Sequence, residues 1–308
     1  MPLGPTRTVS AGVDVDDLRF YYQIHGLDAS AASDAAWTLG VPRFLKLFDE
    51  TKFQATFYCV AADLVCESAR KGIRDIVAAG HRIGNHTLDH RYALTRLDEN
   101  EMYRQVYEGK QRLEQEAQET VAGFRAPGYH INGSVMRAVE ATGHTYDSSV
   151  FSSAPYYFAK MGVLGLMSLR GMSSKSILGP PIALTAPRKP YRARLDNPYR
   201  STIDLGLPEY PISLCGGFPL IGTAFTAVGE RVSQVLTQLA ARQQSHLTFE
   251  FHAVDLISMN EDELDPALSK QPDLHVDWRR KYAIFRTVLE TASRRHEMTT
   301  LEQLAGGE

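Results

Sequence analysis

The sequence has few cysteines, no excess of either charge and no long apolar run. Its three cysteines form no CxxC pair, which argues against a disulfide framework and against a cysteine zinc site. The net charge of −3 lacks the basic excess typical of nucleic-acid-binding proteins. No stretch approaches the roughly 18 apolar residues that a membrane span needs, and the start of the sequence has no apolar signal core. We therefore expect a soluble cytoplasmic protein without nucleic-acid partners.

Short β-rich segments alternate with amphipathic helical segments along most of the 308 residues. "TRTVSAGV", "QATFYCV" and "HLTFEFH" are typical of strands, whereas "LDENEMYRQVYEGKQRLEQEAQE" has apolar residues on one helical side. This alternation predicts an α/β fold with a largely parallel sheet. Six or more such units favour a closed or nearly closed barrel over two domains. We expect a single domain over 1–308 with a long insertion at about 151–208, where the alternation fades.

Reactive side chains follow four of the predicted strands. They are Asp14 and Asp16, His86 and His90, Arg125, and His252. In barrels built from parallel strands, the loops at the carboxyl ends of the strands converge on one face, where active sites lie. We therefore expect these side chains to meet in one pocket.

Each of the two polar motifs has an ordinary interpretation beside a functional one. "HTLDH" places His86 and His90 either on a metal ion or in a plain turn, and "VDVDD" either caps a helix or binds a cation. Alternation along an extended segment puts Asp14 and Asp16 on one face, whereas Asp17 would face away, towards solvent or in a structural role. Two imidazoles and one carboxylate are the ligand set of an open catalytic zinc-type site. Asp16, His86 and His90 thus make a chemically complete triad.

Taken together, "VDVDD", "HTLDH", "FRAPGY" and "FEFH" resemble the successive motifs of polysaccharide deacetylases, the carbohydrate esterase family 4 proteins with a distorted (β/α) barrel. The resemblance spans roughly residues 8–150 and 245–306. The Asp-x-Asp form of the first motif, followed by "GVPRFLKLFDE", is similar to one subgroup. That subgroup includes cytoplasmic peptidoglycan-deacetylase-like proteins and deformylases that act on lipid-linked aminoarabinose.

The resemblance implies a role for each matching residue. Asp14 would be the catalytic base, Arg125 would orient it, and His252 would be the general acid. Asp16, His86 and His90 would hold one divalent metal ion, with zinc the first expectation and iron, cobalt, nickel or manganese also compatible. A main-chain N–H near Gly128 or Tyr129 would bind the oxyanion.

Two motifs depart from the family pattern. Gly128 stands between the proline and Tyr129, which leaves the identity of the oxyanion donor open. The fourth motif is reduced to "YDSS", so that Asp147 is expected only as a partner of His252 or Arg125. Within "HTLDH" we expect Thr87 to fix the loop through its hydroxyl group. Histidines near the ends of other elements are expected at the surface or in turns: His81, His144, His246 and His296.

The implied activity is removal of an N-acyl group, acetyl or formyl, from a sugar. The insertion leaves the substrate class open: "PRKPYRARLDNPYR" is either a solvated loop or an anion clamp, and "YYFAKMGVLGLM" is first expected to pack in the core, with an interfacial helix as the alternative. The alternatives would imply a phosphate- or lipid-linked sugar and peripheral contact with the inner membrane surface. Rival interpretations are a hydrolase of cyclic amides such as ureides and a non-catalytic carbohydrate-binding relative. The oligomeric state stays open.

Overall fold

Strands and helices alternate, as predicted, in the computed structural model, which describes residues 6–30, 32–169, 171 and 174–306. The strands are β1 Thr8–Val15, β2 Ala55–Cys59, β3 Arg82–Asn85, β4 Gly123–Phe124, β5 Tyr146–Asp147, β6 Tyr191–Ala193, β7 Leu207–Glu209, β8 Leu214–Cys215, β9 Phe218–Pro219, β10 His246–His252 and β11 Glu297–Met298. The helices are α1 Leu18–Ile24, α2 Val41–Thr51, α3 Glu67–Ala78, α4 Glu99–Ala117, α5 Gly133–Ala141, α6 Ala154–Leu169, α7 Gly222–Val228, α8 Glu230–Gln243, α9 Trp278–Ser293 and α10 Leu301–Gly306.

One sheet organises the molecule. Its strands follow the order β10-β1-β2-β3-β4-β5-β7-β6, and β11 lies beside β1. The pairs are parallel except for β6, which runs antiparallel to β7. In the described part of the chain the two edge strands, β10 and β6, do not pair, so the sheet curls without closing. The distorted (β/α) barrel with an insertion is thereby confirmed.

Strand β1 shows why these residues build the centre of the sheet. Its β-branched and small side chains alternate between two buried faces, which is typical of a parallel strand covered on both sides. Val9 and Val13 face the main apolar core under the helices. The opposite face carries Gly12 and then Asp14 at the carboxyl end of the strand. Asp14 is in register with His252 of β10, so two reactive groups reach the same edge.

The insertion contradicts one expectation from the sequence. Helix α6 contains the apolar segment "YYFAKMGVLGLM", yet none of its residues is buried, so the interpretation as core packing is wrong. Phe158 is 56% exposed and Leu169 is 87% exposed. No helix in the described ranges is both long enough and apolar enough to cross a membrane.

The outlying histidines were also misplaced by the sequence reasoning. His81, His144, His246 and His296 are buried rather than at the surface. Burial lowers the pKa of His81 to about 4, and its Nδ1 accepts the Ala55 N–H at 3.2 Å. These histidines are neutral parts of the packed interior.

Candidate active site

Three side chains from two strand ends converge at the carboxyl edge of the sheet. Asp16 follows β1, and His86 and His90 follow β3. Asp16 Oδ1 lies 3.3 Å from His86 Nε2 and 3.2 Å from His90 Nε2. All three are buried. Burial raises the pKa of Asp16, but the two imidazoles stabilise its carboxylate and bring this pKa well below its usual value.

The loop that carries the two histidines is held in an unusual backbone conformation. Thr87 and His90 have φ values of 71° and 57°, in the left-handed region that side chains other than glycine rarely adopt. The His90 N–H donates to Thr87 Oγ1 at 3.1 Å, in the way expected of Thr87. The ring of His90 packs against Phe20, at a centroid distance of 4.2 Å, and against Tyr92. The strained turn thus aims both imidazoles at Asp16.

The donor set fits a divalent metal ion. Asp16 Oδ1 and both ring nitrogens of His90 are buried without a hydrogen-bond partner among the described residues, which is costly for polar groups. His86 Nδ1 lies 2.7 Å from the Arg125 carbonyl oxygen, to which it donates, so Nε2 is free to act as a ligand. Two imidazoles and one carboxylate are the donor set of a catalytic metal site.

Asp14 and Arg125 form a buried ion pair beside this triad. Arg125 Nη1 donates to Asp14 Oδ1 at 2.7 Å, and both side chains are almost fully buried. The guanidinium lies over the ring of Tyr58, at 4.1 Å from its centroid. A Cβ atom at Gly12 would approach Arg125 Nη1 to 2.8 Å, so the strand needs glycine there. Arg125 therefore contacts Asp14 in the way the resemblance implies.

His252 has a partner that the sequence reasoning missed. Its Nδ1 lies 2.8 Å from Oε1 of Glu250, which is completely buried, and its Nε2 lies 3.8 Å from Asp16 Oδ2. Burial disfavours the imidazolium, but the Glu250 carboxylate outweighs it and raises the pKa of His252 well above its usual value. In "FEFH" the two residues are two positions apart on one face of β10, which was the available signal.

We expect Glu250→Gln to lower kcat by on the order of 10²-fold with KM and metal content unchanged, because the amide cannot stabilise the imidazolium of His252. Steady-state kinetics and metal analysis of the purified variant measure this. A Glu250→Gln protein with wild-type kcat would show that the pair has no part in catalysis.

The loop after β4 offers one main-chain donor. The Tyr129 N–H donates to Ala126 O at 3.0 Å, and the Ala126 N–H donates to Ser149 Oγ at 2.8 Å. Both are therefore engaged within the protein. The N–H of Gly128, which has a φ of 60°, is the remaining candidate for the oxyanion donor. The ring of Tyr129 packs against Phe151.

Two further acids have structural partners. Of the two expectations for Asp17, the structural one holds: its side chain is buried, and it caps α1 by accepting the Leu18 N–H at 2.7 Å. Asp147 contacts neither His252 nor Arg125 directly: its Oδ1 accepts from Ser149 Oγ at 2.5 Å. Glu250 occupies the place beside His252 that was expected for Asp147.

The sequence is similar to known proteins over part of its length. Residues 31–146 match the polysaccharide deacetylase family. The chain is 27% identical over 135 residues to the Bacillus cereus peptidoglycan-N-acetylglucosamine deacetylase, a match covering 44% of this chain and 62% of the relative. It is 27% identical over 157 residues to the Helicobacter pylori peptidoglycan deacetylase, covering 48% and 52%. The chain thus spans less than two thirds of the length of these curated relatives.

The fold has a solved counterpart. A crystal structure from Mycobacterium smegmatis, assigned to the polysaccharide deacetylases, superposes with a TM-score of 0.63 at 18% identity, over 100% of this chain and 91% of that one. The family match contains His86, His90 and Arg125, and the geometry adds Asp14, Asp16 and His252 from outside it. Residues 31–146 thus resemble the polysaccharide deacetylase family in sequence, and the chain shares its fold with the Mycobacterium smegmatis structure.

Proposed function

We propose that this protein is a metal-dependent hydrolase that removes an N-acetyl or N-formyl group from a sugar. The observation that carries the proposal is one buried edge of the sheet where three groups meet: the Asp16-His86-His90 triad, the Asp14–Arg125 pair and the His252–Glu250 pair. The curated relatives named for peptidoglycan deacetylation support the same reaction class.

The metal would be held by Asp16, His86 and His90. When bound, it would polarise the amide carbonyl and lower the pKa of water, which makes a nucleophile available at neutral pH. Zinc is our first choice, and the donor set also accepts iron, cobalt, nickel or manganese.

The chain's own residues supply the proton transfers. Asp14 is not one of the three ligands, and Arg125 holds its carboxylate in place by a hydrogen bond, so it can accept a proton from the attacking water. The Gly128 N–H would face the developing oxyanion. His252, charged because of Glu250, would donate a proton to the departing nitrogen, which is a poor leaving group until protonated. The C–N bond breaks, and the products are a free amine and acetate or formate.

A substrate panel tests the proposed reaction. Metal-loaded protein is incubated with N-acetyl and N-formyl sugars, free and lipid-linked, and with ureides, and released acetate or formate is detected by mass. Release from the sugars supports the proposal. Release from ureides alone, or no release from any member, would contradict it.

We further propose that the sugar is presented from a lipid at a membrane surface. Helix α6 leaves its apolar side chains in solvent, and its single charged residue is Lys160. The helix begins beside the candidate site, where Tyr156 packs against Phe151 and Tyr129. Beyond this packed first turn, an exposed helix with apolar side chains suits an apolar solvent.

Three of the five basic residues in "PRKPYRARLDNPYR" are engaged by other residues of the insertion. Arg194 is paired with Asp196 at 2.7 Å, Arg192 donates to Gly206 O, and Arg200 donates to Thr185. These three guanidinium groups form contacts that stabilise the insertion itself. The lipid proposal therefore rests on α6 alone.

We expect the wild type to bind phospholipid vesicles and the double variant Phe158→Ser/Leu166→Ser to lose at least about tenfold in vesicle affinity, because two exposed apolar anchors are removed. Co-sedimentation measures both. The matched control, Val235→Ser/Leu239→Ser, changes two exposed apolar residues of α8 and should bind as the wild type does. Equal loss in both double variants, or no binding by the wild type, would exclude α6 as the contact.

A further inference from the structure

Two carboxyl groups lie buried against each other, away from the metal-ligand triad. Asp147 ends β5 and Glu209 ends β7, and the two residues are paired in register in neighbouring strands. Both are completely buried. The nearest guanidinium, Arg125, uses its donors on Asp14 and on Ser148, so it forms an ion pair with neither acid. Two unpaired negative charges at this depth would be strongly unfavourable.

The hydrogen bonding of the four carboxyl oxygens indicates how the burial of two negative charges is avoided. Asp147 Oδ1 accepts from Ser149 Oγ, and Glu209 Oε1 accepts the Val150 N–H at 3.0 Å. The other two oxygens, Asp147 Oδ2 and Glu209 Oε2, are buried without a hydrogen-bond partner in the described ranges, on side chains that the strand register places next to each other. One proton held between two such carboxyl groups would let one of them donate to the other. Burial and the Asp147 charge raise the pKa of Glu209 well above its usual value, so Glu209 holds the proton and donates it to Asp147.

This acid pair connects to the loop that carries Arg125. Ser149 Oγ, which donates to Asp147, accepts the Ala126 N–H at 2.8 Å. Ser148 accepts from Arg125 twice, at its carbonyl oxygen and at Oγ, each at 2.9 Å. The two serines of "YDSS" thus lie between the acid pair and Arg125. The guanidinium orientation at Asp14 depends on where this segment is held.

We propose that Asp147 and Glu209, sharing one proton, position Arg125 through Ser148 and Ser149, and so set the geometry of the Asp14 base. The inference rests on the proposed function for its kinetic part. In the described part of the chain, no side chain of the acid pair or of the two serines forms a hydrogen bond with the triad, so these four are positioning residues.

A single hydroxyl deletion tests the positioning. Ser149→Ala removes the link between Asp147 and Ala126, and we expect kcat to fall on the order of 10-fold or more at unchanged KM and metal content. The matched control is Ser233→Ala, which deletes another fully buried hydroxyl, one that donates to Phe225 O and Gly229 O at the start of α8. It should lose stability while keeping kcat. If the folded Ser149→Ala protein keeps the wild-type kcat, the pair has no positioning role and the inference fails.

Proton sharing has a test that does not use activity. The charged and titratable groups facing the pair are Arg125, Tyr191 and Tyr199. Because the native state keeps the Glu209 proton and the unfolded chain releases it above about pH 4.3, the wild type loses stability as pH rises. Glu209→Gln keeps a donor but cannot ionise. Its folding equilibrium constant relative to wild type should therefore rise with pH, by up to about tenfold per pH unit.

The two measurements separate the possible failures. A ratio of equilibrium constants that stays constant between pH 4 and 8 would overturn the shared proton. A wild type without hydrolase activity but with the expected pH dependence would contradict the proposed function and leave the acid pair standing.

Discussion

Replacing Asp14 with asparagine is expected to lower kcat by about 10²- to 10⁴-fold while the protein still binds its metal. The amide has nearly the same shape as the carboxylate and can still accept a hydrogen bond from Arg125, which lies 2.7 Å away. It cannot accept a proton from water, so only the base function is removed. Steady-state kinetics and metal analysis on the same preparation measure the two properties separately.

The matched control for this experiment is Asp17→Asn. Asp17 lies three positions after Asp14 and is also buried. Burial and the nearby Asp63 carboxylate raise the pKa of Asp17 to about 7. An asparagine there still caps α1. We expect nearly wild-type turnover from this variant. Full activity in Asp14→Asn would refute the base assignment, whereas joint loss of metal and activity would make Asp14 a ligand.

The position of the site could be predicted from the sequence because it depends only on which residues come at the end of each parallel strand. Residues that directly follow parallel strands reach one edge of the sheet whatever the details of packing. This is why Asp14, Asp16 and His252 meet. The same alternation argument that placed Asp14 and Asp16 on one face also places Glu250 beside His252, and it could have been applied to "FEFH".

The predictions that were wrong concern features that depend on packing between segments distant in sequence. The apolar composition of α6 gives no indication of whether another element covers it, so its exposure could not be predicted. The buried histidines could not be distinguished from exposed ones for the same reason. Asp147 was misassigned because its partner, Glu209, lies 62 positions later, on a strand at the end of the insertion, where the regular alternation is lost.

Adding Zn²⁺ to the metal-free protein is expected to raise its free energy of unfolding by about 4 kcal/mol at a free metal concentration 1,000 times Kd. Buried Asp16 Oδ1 and the ring nitrogens of His90 have no hydrogen-bond partner in the described part of the chain, and a bound ion would be coordinated by Asp16 and by one ring nitrogen of His90. The metal-free fold therefore carries the cost of desolvating these groups, and the loaded fold recovers it. Denaturant titrations with and without metal give the difference.

The variant His90→Asn should abolish both this stabilisation and turnover, because asparagine tolerates the left-handed backbone of position 90 but is too short to act as the third ligand. His246→Asn is the control: it removes another buried histidine, at the opposite end of β10, and should leave the response to metal intact. If His90→Asn is stabilised by metal as strongly as the wild type, then His90 is not a ligand. If neither it nor the wild type responds to zinc, manganese, cobalt, nickel or iron, the triad binds no ion, and the proposed hydrolase loses its chemical basis.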